Sequence, residues 1–339
     1  MSGRSAGPVS TVRPTEEALI ARYFAPLAGP GADALRDDAA SLAPSPGHDL
    51  VLTADAIVSG IHYFPDDPPE SLARKALGVN LSDLAAKGAA PRGFLLTLAL
   101  PGDWTEAWLA RFAEGLGQAS RACACPLLGG DTVRSGGPPL IGVTAVGEVP
   151  AGRIVRRTTA RVGDRICVSG TIGDAALGLR LRQEPEADWV RALDAEARAH
   201  LADRYLHPQP RLALAPVILR FARAAMDVSD GLAGDLAKML ACTGATATID
   251  EAAVPLSRAA AQAVAARADL FDVAVTGGDD YEILCTVAPD ACDAFREAAA
   301  AAGVPVAVIG TVASGGGLPG FRDAEGAARV FAAGAFSHF

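Results

Sequence analysis

Two hydrophobic periods interleave along this chain. Helical spacing is clearest from residue 68 to 89, where Pro68 and Pro69 open a helix, Ser71 is placed to cap it and Gly88 closes it. Further helices are expected at 16–24, 104–123, 173–181 and 231–242, and across the charged stretch 184–204. Short apolar or alternating runs predict strands at 50–53, 94–100, 126–128, 140–149, 165–169, 224–228, 245–249, 273–276 and 281–287. Residues 1–14, rich in Ser, Gly, Pro and Thr, read as a disordered tail. Pro150-Ala151-Gly152 reads as a boundary, giving an N-terminal domain at 15–149 and a C-terminal domain at 150–339. Each half mixes helices and strands, which predicts an α/β class of the α+β type.

Acidic residues number 39 and basic residues 30, for a net charge of −9. A general nucleic-acid binder needs basic patches, so that class is excluded. A nucleotide site is compatible if metal ions supply positive charge. No apolar run has the length of a membrane span, and no apolar leader segment is seen. The six cysteines form no C-x-x-C pair, and no His stands at zinc-finger spacing, so free thiols in a reducing cytoplasm are expected.

The chemistry is carried by aspartates in unusual places. Asp38, Asp55, Asp83, Asp131, Asp227 and Asp230 occupy strand ends, turn starts or an otherwise apolar helix. Asn80 and Asp83 share a helix face beside the Leu77, Leu81 and Leu84 stripe, where a carboxylate is costly unless something positive meets it. In Met226-Asp227-Val228-Ser229-Asp230-Gly231-Leu232 a strand ends, two carboxylates follow and a helix begins. Ser229 or Asp230 could cap that helix, which would account for one of these side chains but not for both aspartates. Gly129-Gly130-Asp131 and Gly277-Gly278-Asp279-Asp280 read as two similar glycine turns followed by acids. Carboxylates gathered at one site repel each other, and hard oxygen-liganded cations such as Mg²⁺ remove the conflict. Arg153, Arg156 and Arg157 could meet a phosphate. Acids from 184 to 203, including Asp188 and Asp194, read as a solvated helix face.

No P-loop is present, and the only lysines are Lys75, Lys87 and Lys238. Protein-kinase H-R-D and D-F-G strings, a G-x-S-x-G elbow and a strand-following G-x-G-x-x-G are also missing.

Taken together, these segments resemble the thiamine-monophosphate kinases. The resemblance runs in order through Arg36-Asp37-Asp38-Ala39-Ala40, Thr53-Ala54-Asp55 to His62, Lys75 to Ala86, Gly129-Gly130-Asp131-Thr132, Ser169 to Asp174, Met226 to Leu232, and Thr276 to Glu282. It implies the two-domain fold of aminoimidazole ribonucleotide synthetase, with N-terminal domains paired into a β-barrel homodimer. It also implies ATP-dependent phosphorylation of thiamine phosphate to thiamine diphosphate. By the family pattern, Asp38, Thr53, Asp55, Asp83, Asp131, Asp227 and Asp230 serve several Mg²⁺ ions. Gly130, Asp131, Arg157 and Ser229 meet ATP; His62, Asp279 and Phe336 border thiamine phosphate. Asp83, Asp131, Asp230 and Arg157 are the residues expected to carry the reaction. Three positions depart: Arg36 stands where the family has Gly, Ala54 where it has a hydroxyl residue, and Asp279 where it has Glu.

The implied acceptor is a phosphate with a second pKa near ~6 and is already a nucleophile, so no general base is required. Direct in-line transfer without a phospho-enzyme is expected, with Mg²⁺ and Arg157 screening the two phosphates. The cationic thiazolium suits Asp279 and the Phe336 ring. The alternatives are another ATP-using enzyme of the superfamily, a non-catalytic Mg-nucleotide binder, and a two-metal phosphohydrolase.

Overall fold

The computed structural model describes residues 14–323 and 325–331. The expected tail lies outside these residues except for Pro14, and Phe336 also lies outside them. Helix α1 (Glu16–Leu19) is capped by the Thr15 hydroxyl and runs into a wider turn over Ile20–Phe24.

The first sheet comprises β1 (His48–Val58), β2 (Ala90–Leu100), β3 (Leu127–Arg134) and β4 (Leu140–Pro150), in the order β1-β4-β2-β3. Helices α2 (Pro69–Ala86) and α3 (Glu106–Ala122) cover one face. Phe94, Leu96, Leu98, Ile141 and Val143 alternate inward there and meet Leu77, Leu84, Phe112 and Leu116. The opposite face is bare: Leu52 is 66%, Leu95 40% and Val133 42% exposed.

The second sheet has seven strands in the order β11-β10-β7-β9-β5-β8-β6. These are β5 (Arg165–Ser169), β6 (Ala222–Asp227), β7 (Thr246–Asp250), β8 (Ile283–Val287), β9 (Val306–Ala313), β10 (Gly320–Arg322) and β11 (Ala328–Arg329). The chain between them adds α4 (Asp174–Gln183), α5 (Asp188–Ala192), α6 (Ala195–Leu206), α7 (Ala215–Phe221), α8 (Leu232–Ala241), α9 (Arg258–Ala266), α10 (Leu270–Thr276) and α11 (Cys292–Ala301). Helix α8 packs on one face through Leu236, Met239 and Leu240, and α7 and α11 on the other through Ile218 and Phe295.

Helix α2 joins the two halves. Leu72, Leu77, Leu81 and Leu84 enter the first core, while Ala85 and Ala86 enter the core beneath β6 and β8. A helix buried all round must pair every polar side chain it carries. Leu84→Ala there would cost about 2–5 kcal/mol. Among the described residues no helix is long and apolar enough to cross a membrane, and all six cysteines are free.

Several local expectations change. Residues 273–276 are helical, within α10, because Leu270 and Ala274 bury one stripe against α4 and α9. Ser71 lies inside α2 and is buried, its Oγ paired with His207 Nε2 at 2.8 Å; Pro68 holds the cap position. Gly129-Gly130-Asp131 is not a turn but the middle of β3, paired in register with Leu95, Leu96 and Thr97. Asp55 lies within β1 rather than beyond its end. The stretch 184–204 breaks into α5 and α6 and buries Trp189, Val190 and Leu201, while its acids Glu186, Asp188, Asp194, Glu196 and Asp203 stay exposed as expected. Asp194 caps α6 through the Ala197 N–H at 2.7 Å and pairs with Arg258 at 2.8 Å, which holds its carboxyl well below the usual range.

Candidate active site

Helix α2 brings Asp83 to a cleft, with Lys87 just beyond its end, while Ser71, Lys75, Asn80 and Ser82 are buried and fasten neighbouring elements. Asn80 Oδ1 accepts the Asp55 backbone N–H at 2.9 Å, and the Thr53 hydroxyl donates to Asp83 Oδ2. Ser82 Oγ donates to the Tyr281 carbonyl at 3.3 Å, and Lys87 Nζ to the Ala225 carbonyl at 2.8 Å. The sequence pairing of Asn80 with Asp83 therefore has a structural meaning: one orients β1 and the other faces it.

The β6–α8 turn and the segment Ile154–Thr158 form the rest of the lining, and a second glycine turn, 276–280, is fastened behind the first. Strand β6 ends at Asp227 and α8 begins at Leu232. The Asp279 N–H donates to the Ser229 carbonyl and the Tyr281 N–H to the Val228 carbonyl, both at 2.8 Å. Gly231 and Gly278 have φ of 106° and 74°, a region that suits glycine. A Cβ at Gly278 would lie 2.3 Å from the Ser229 carbonyl oxygen. The expected capping is reversed here. Asp235, inside α8, accepts the Ser229 and Asp230 N–H groups at 3.0 and 2.9 Å, leaving both side chains on the cleft. Lys238 pairs with Asp230 and, at 3.0 Å, with Asp235.

The cleft, of ≈ 420 Å³, is lined by Asp55, Asp83, Arg157, Asp227, Ser229 and Asp230 together with Arg156, Lys87 and Lys238. Burial pushes the Asp227 carboxyl well above the usual range, and the Asp83 charge adds to this. Asp55 is raised by desolvation first and by Asp83 and Asp230 next. Burial lowers the Lys87 ammonium against the pull of Asp227 and Asp83. Repelling carboxylates with hard oxygens are the donor set that Mg²⁺ relieves, so the residues fit that ion chemically. Among the described residues, no three His, Cys, Asp or Glu side chains stand close enough to hold an ion as they are.

Other anticipated residues stand apart. Asp131 is on edge strand β3 and Asp55 on edge strand β1, with two strands between, about 14 Å at ordinary strand spacing. The register also places them on opposite faces: Asp55 aligns through Val143 with Leu96, and Asp131 aligns with Thr97. One chain therefore does not bring both carboxylates to one ion. Gly130 shares β3; a Cβ there would lie 1.9 Å from the Leu96 carbonyl oxygen. Asp38 is exposed before β1, its N–H bonded to Asp37 Oδ1 at 2.8 Å. Arg153 does not line the cleft. His62 and Asp279 belong to a second place, where Lys75 Nζ donates to the His62 backbone carbonyl at 3.1 Å and to Asp279 Oδ2 at 2.5 Å, while His62 Nδ1 accepts the Val58 N–H at 3.1 Å. Tyr281 lies between the two places: burial raises its hydroxyl, and the charges of Asp279, Asp227 and Asp55 add to this. Lys87, Lys238, Asp235 and Tyr281 are site residues that sequence reasoning missed. The available signal was that Asp235 sits in an apolar helix just as Asp83 does.

The family models for the N-terminal and C-terminal domains of AIR synthase related proteins match residues 36–149 and 161–320. Thiamine-monophosphate kinase of Caulobacter vibrioides is 41% identical over 313 residues, covering 91% of this chain and 87% of that protein. The solved thiamine-monophosphate kinase of Stenotrophomonas maltophilia K279a superposes with a TM-score of 0.78 at 40% identity, covering 87% of this chain and 91% of the other. AaThiL, solved with AMPPCP and TMP, gives a TM-score of 0.76 at 28% identity over 95% and 94% of the two chains. The fold, the shared segments and these likenesses agree: the chain belongs to the thiamine-monophosphate kinase family of AIR synthase related proteins.

Proposed function

We propose that this protein, an ATP-dependent kinase that converts thiamine phosphate to thiamine diphosphate, transfers the γ-phosphoryl group directly and in line within the cleft between α2 and the β6–α8 turn. The observation that carries this reading is the convergence of Asp55, Asp83, Asp227 and Asp230 on one cleft with Arg157, Asp55 and Asp227 being raised by burial first and by neighbouring carboxylates next. AaThiL, solved with AMPPCP and TMP, supports placing both substrates in this fold.

Thr53, Asp55, Asp83, Asp227 and Asp230 would hold Mg²⁺, with Asp38 and Asp131 as further ligands. Bound there, Mg²⁺ supplies the positive charge that lets two anionic phosphates approach. Arg157 and Ser229 orient the ATP phosphates, and Gly130 and Asp131 the rest of the nucleotide site. Arg157 adds a fixed guanidinium beside the developing charge. His62, Asp279 and Phe336 border thiamine phosphate. Ala54 offers no hydroxyl, so that ligand contact would be lost or supplied by water.

The region 15–149 is assigned ATP binding, metal binding and dimerisation, and 150–339 completion of the nucleotide and substrate site. The bare face carrying Leu52, Leu95 and Val133 supports a homodimer built on paired first sheets. Such pairing would let Asp131 of one copy serve a site whose Asp55 comes from the other. Free cysteines support a cytoplasmic enzyme. Stereochemistry tests the transfer: ATP chiral at the γ-phosphorus should give thiamine diphosphate with inversion, and retention would require a phospho-enzyme.

A further inference from the structure

Lys75 lies about two turns before Asp83 on α2, and its side chain is 2% exposed. Its ammonium donates to Asp279 Oδ2 at 2.5 Å, to the His62 carbonyl at 3.1 Å and to the Tyr205 carbonyl at 3.1 Å. It also lies 4.2 Å from the Tyr205 ring centroid. An ammonium has three N–H donors, and all three are used. The Tyr205 hydroxyl reaches the same His62 carbonyl at 3.4 Å. Asp279 has a φ of 68°, in the left-handed region that aspartate tolerates better than most side chains, and its side chain is still 26% exposed.

A buried ion pair is a poor source of stability, because desolvating both charges offsets their attraction. What this one does uniquely is geometric. One point charge ties the His62 loop of the first half to the Asp279 turn and α6 of the second. Arginine, which this chain uses for every other basic position but two, would bring a planar fork too wide for three converging acceptors.

We propose that Lys75 is the positioning residue of the thiamine phosphate end of the site, setting His62 and Asp279 in one geometry. The inference rests on assigning those two residues to that end. It also revises the expectation that Asp279 attracts the thiazolium as a bare anion. With Lys75 on Oδ2, the carboxylate meets the substrate as an oriented hydrogen-bond acceptor whose charge is already balanced.

The test is calorimetric: Kd for thiamine phosphate, and separately Kd for AMPPCP with Mg²⁺. Lys75→Met should weaken thiamine phosphate by about tenfold or more and leave AMPPCP within about threefold. If Lys75→Met does not fold, Lys75→Met/Asp279→Asn, which removes both charges together, should fold and show the same split. That double variant should also bind thiamine phosphate more weakly than Asp279→Asn alone. Unchanged binding of thiamine phosphate, or equal loss for both ligands, would overturn the proposal. If Asp279→Asn and His62→Ala both bind thiamine phosphate normally, the assignment of the substrate end falls and takes the inference with it. If they weaken it and the Lys75 variants do not, only the role of Lys75 falls.

Discussion

Replacing Gly278 by alanine probes the fastening between the two glycine turns. The new methyl would lie 2.3 Å from the Ser229 carbonyl oxygen and 2.9 Å from Asp230 Cα. A relaxed carbon–oxygen contact needs about 3.3 Å, so the turns must separate by about 1 Å. Residue 278 also has a φ of 74°, which costs a side-chain-bearing residue about 1–2 kcal/mol. Overpacking adds about 1–3 kcal/mol, so the melting temperature should fall by roughly 5–15 °C. Activity should suffer far more. A shift of about 1 Å between Ser229, Asp230 and the Asp279 turn misplaces phosphates and metal ligands, worth about 10²-fold in rate. The assay is kcat/KM for thiamine phosphate at saturating ATP and Mg²⁺, well below the melting point, with circular dichroism confirming the fold. Gly244→Ala is the control: its φ is 64°, yet its Cβ meets nothing within 4 Å, so it should lose some stability and keep its rate. If Gly278→Ala retains kcat/KM within about threefold, the turns do not position the chemistry and the reasoning fails.

Asp83→Asn and Asp230→Asn should each abolish turnover and leave the circular dichroism spectrum unchanged; activity retained by both would remove the metal cluster from the mechanism. Asp227 bears on pH. Its folded carboxyl binds a proton more tightly than the unfolded one, so it costs stability as pH rises above the usual carboxylate value. Without Mg²⁺, the melting temperature of Asp227→Asn minus that of the wild type should therefore grow with pH, and a difference flat with pH would contradict the buried, repelled carboxylate. Glu282 is fully buried and accepts from Arg204 at 3.0 Å, Arg211 at 2.7 Å and Ser169 Oγ at 2.6 Å. Glu282→Gln leaves two buried guanidiniums uncompensated and should cost about 3–5 kcal/mol in calorimetric unfolding; a loss below about 1 kcal/mol would refute that account.

Asp83 and Asp227 were legible because each broke a local rule, the one sitting in an apolar helix and the other at the end of an apolar strand. Their convergence follows from long-range topology that no local pattern encodes. The failure of Asp131 to join Asp55 is the clearest case: it depends on the strand order β1-β4-β2-β3 and on side-chain parity along β3. Residues 273–276 misled through Val273, Val275 and Thr276, whose β-branched side chains favour strands. Packing of Leu270 and Ala274 on neighbouring helices overrode that preference. Lys75 and Asp279 are 204 residues apart in sequence, so their pairing left no local trace. Asp235 did leave one, the same acid-in-apolar-helix mark that exposed Asp83, and it was readable in Leu232-Ala233-Gly234-Asp235-Leu236.

If the cleft works as proposed, two phosphates meet in it through a divalent cation. The most direct measurement incubates the protein with ATP, thiamine phosphate and Mg²⁺ and quantifies ADP, thiamine diphosphate and free phosphate together. Equal amounts of ADP and thiamine diphosphate should form, with little free phosphate, and no product once Mg²⁺ is chelated. Turnover that survives chelation, or ADP and phosphate formed without thiamine diphosphate, would contradict that reading.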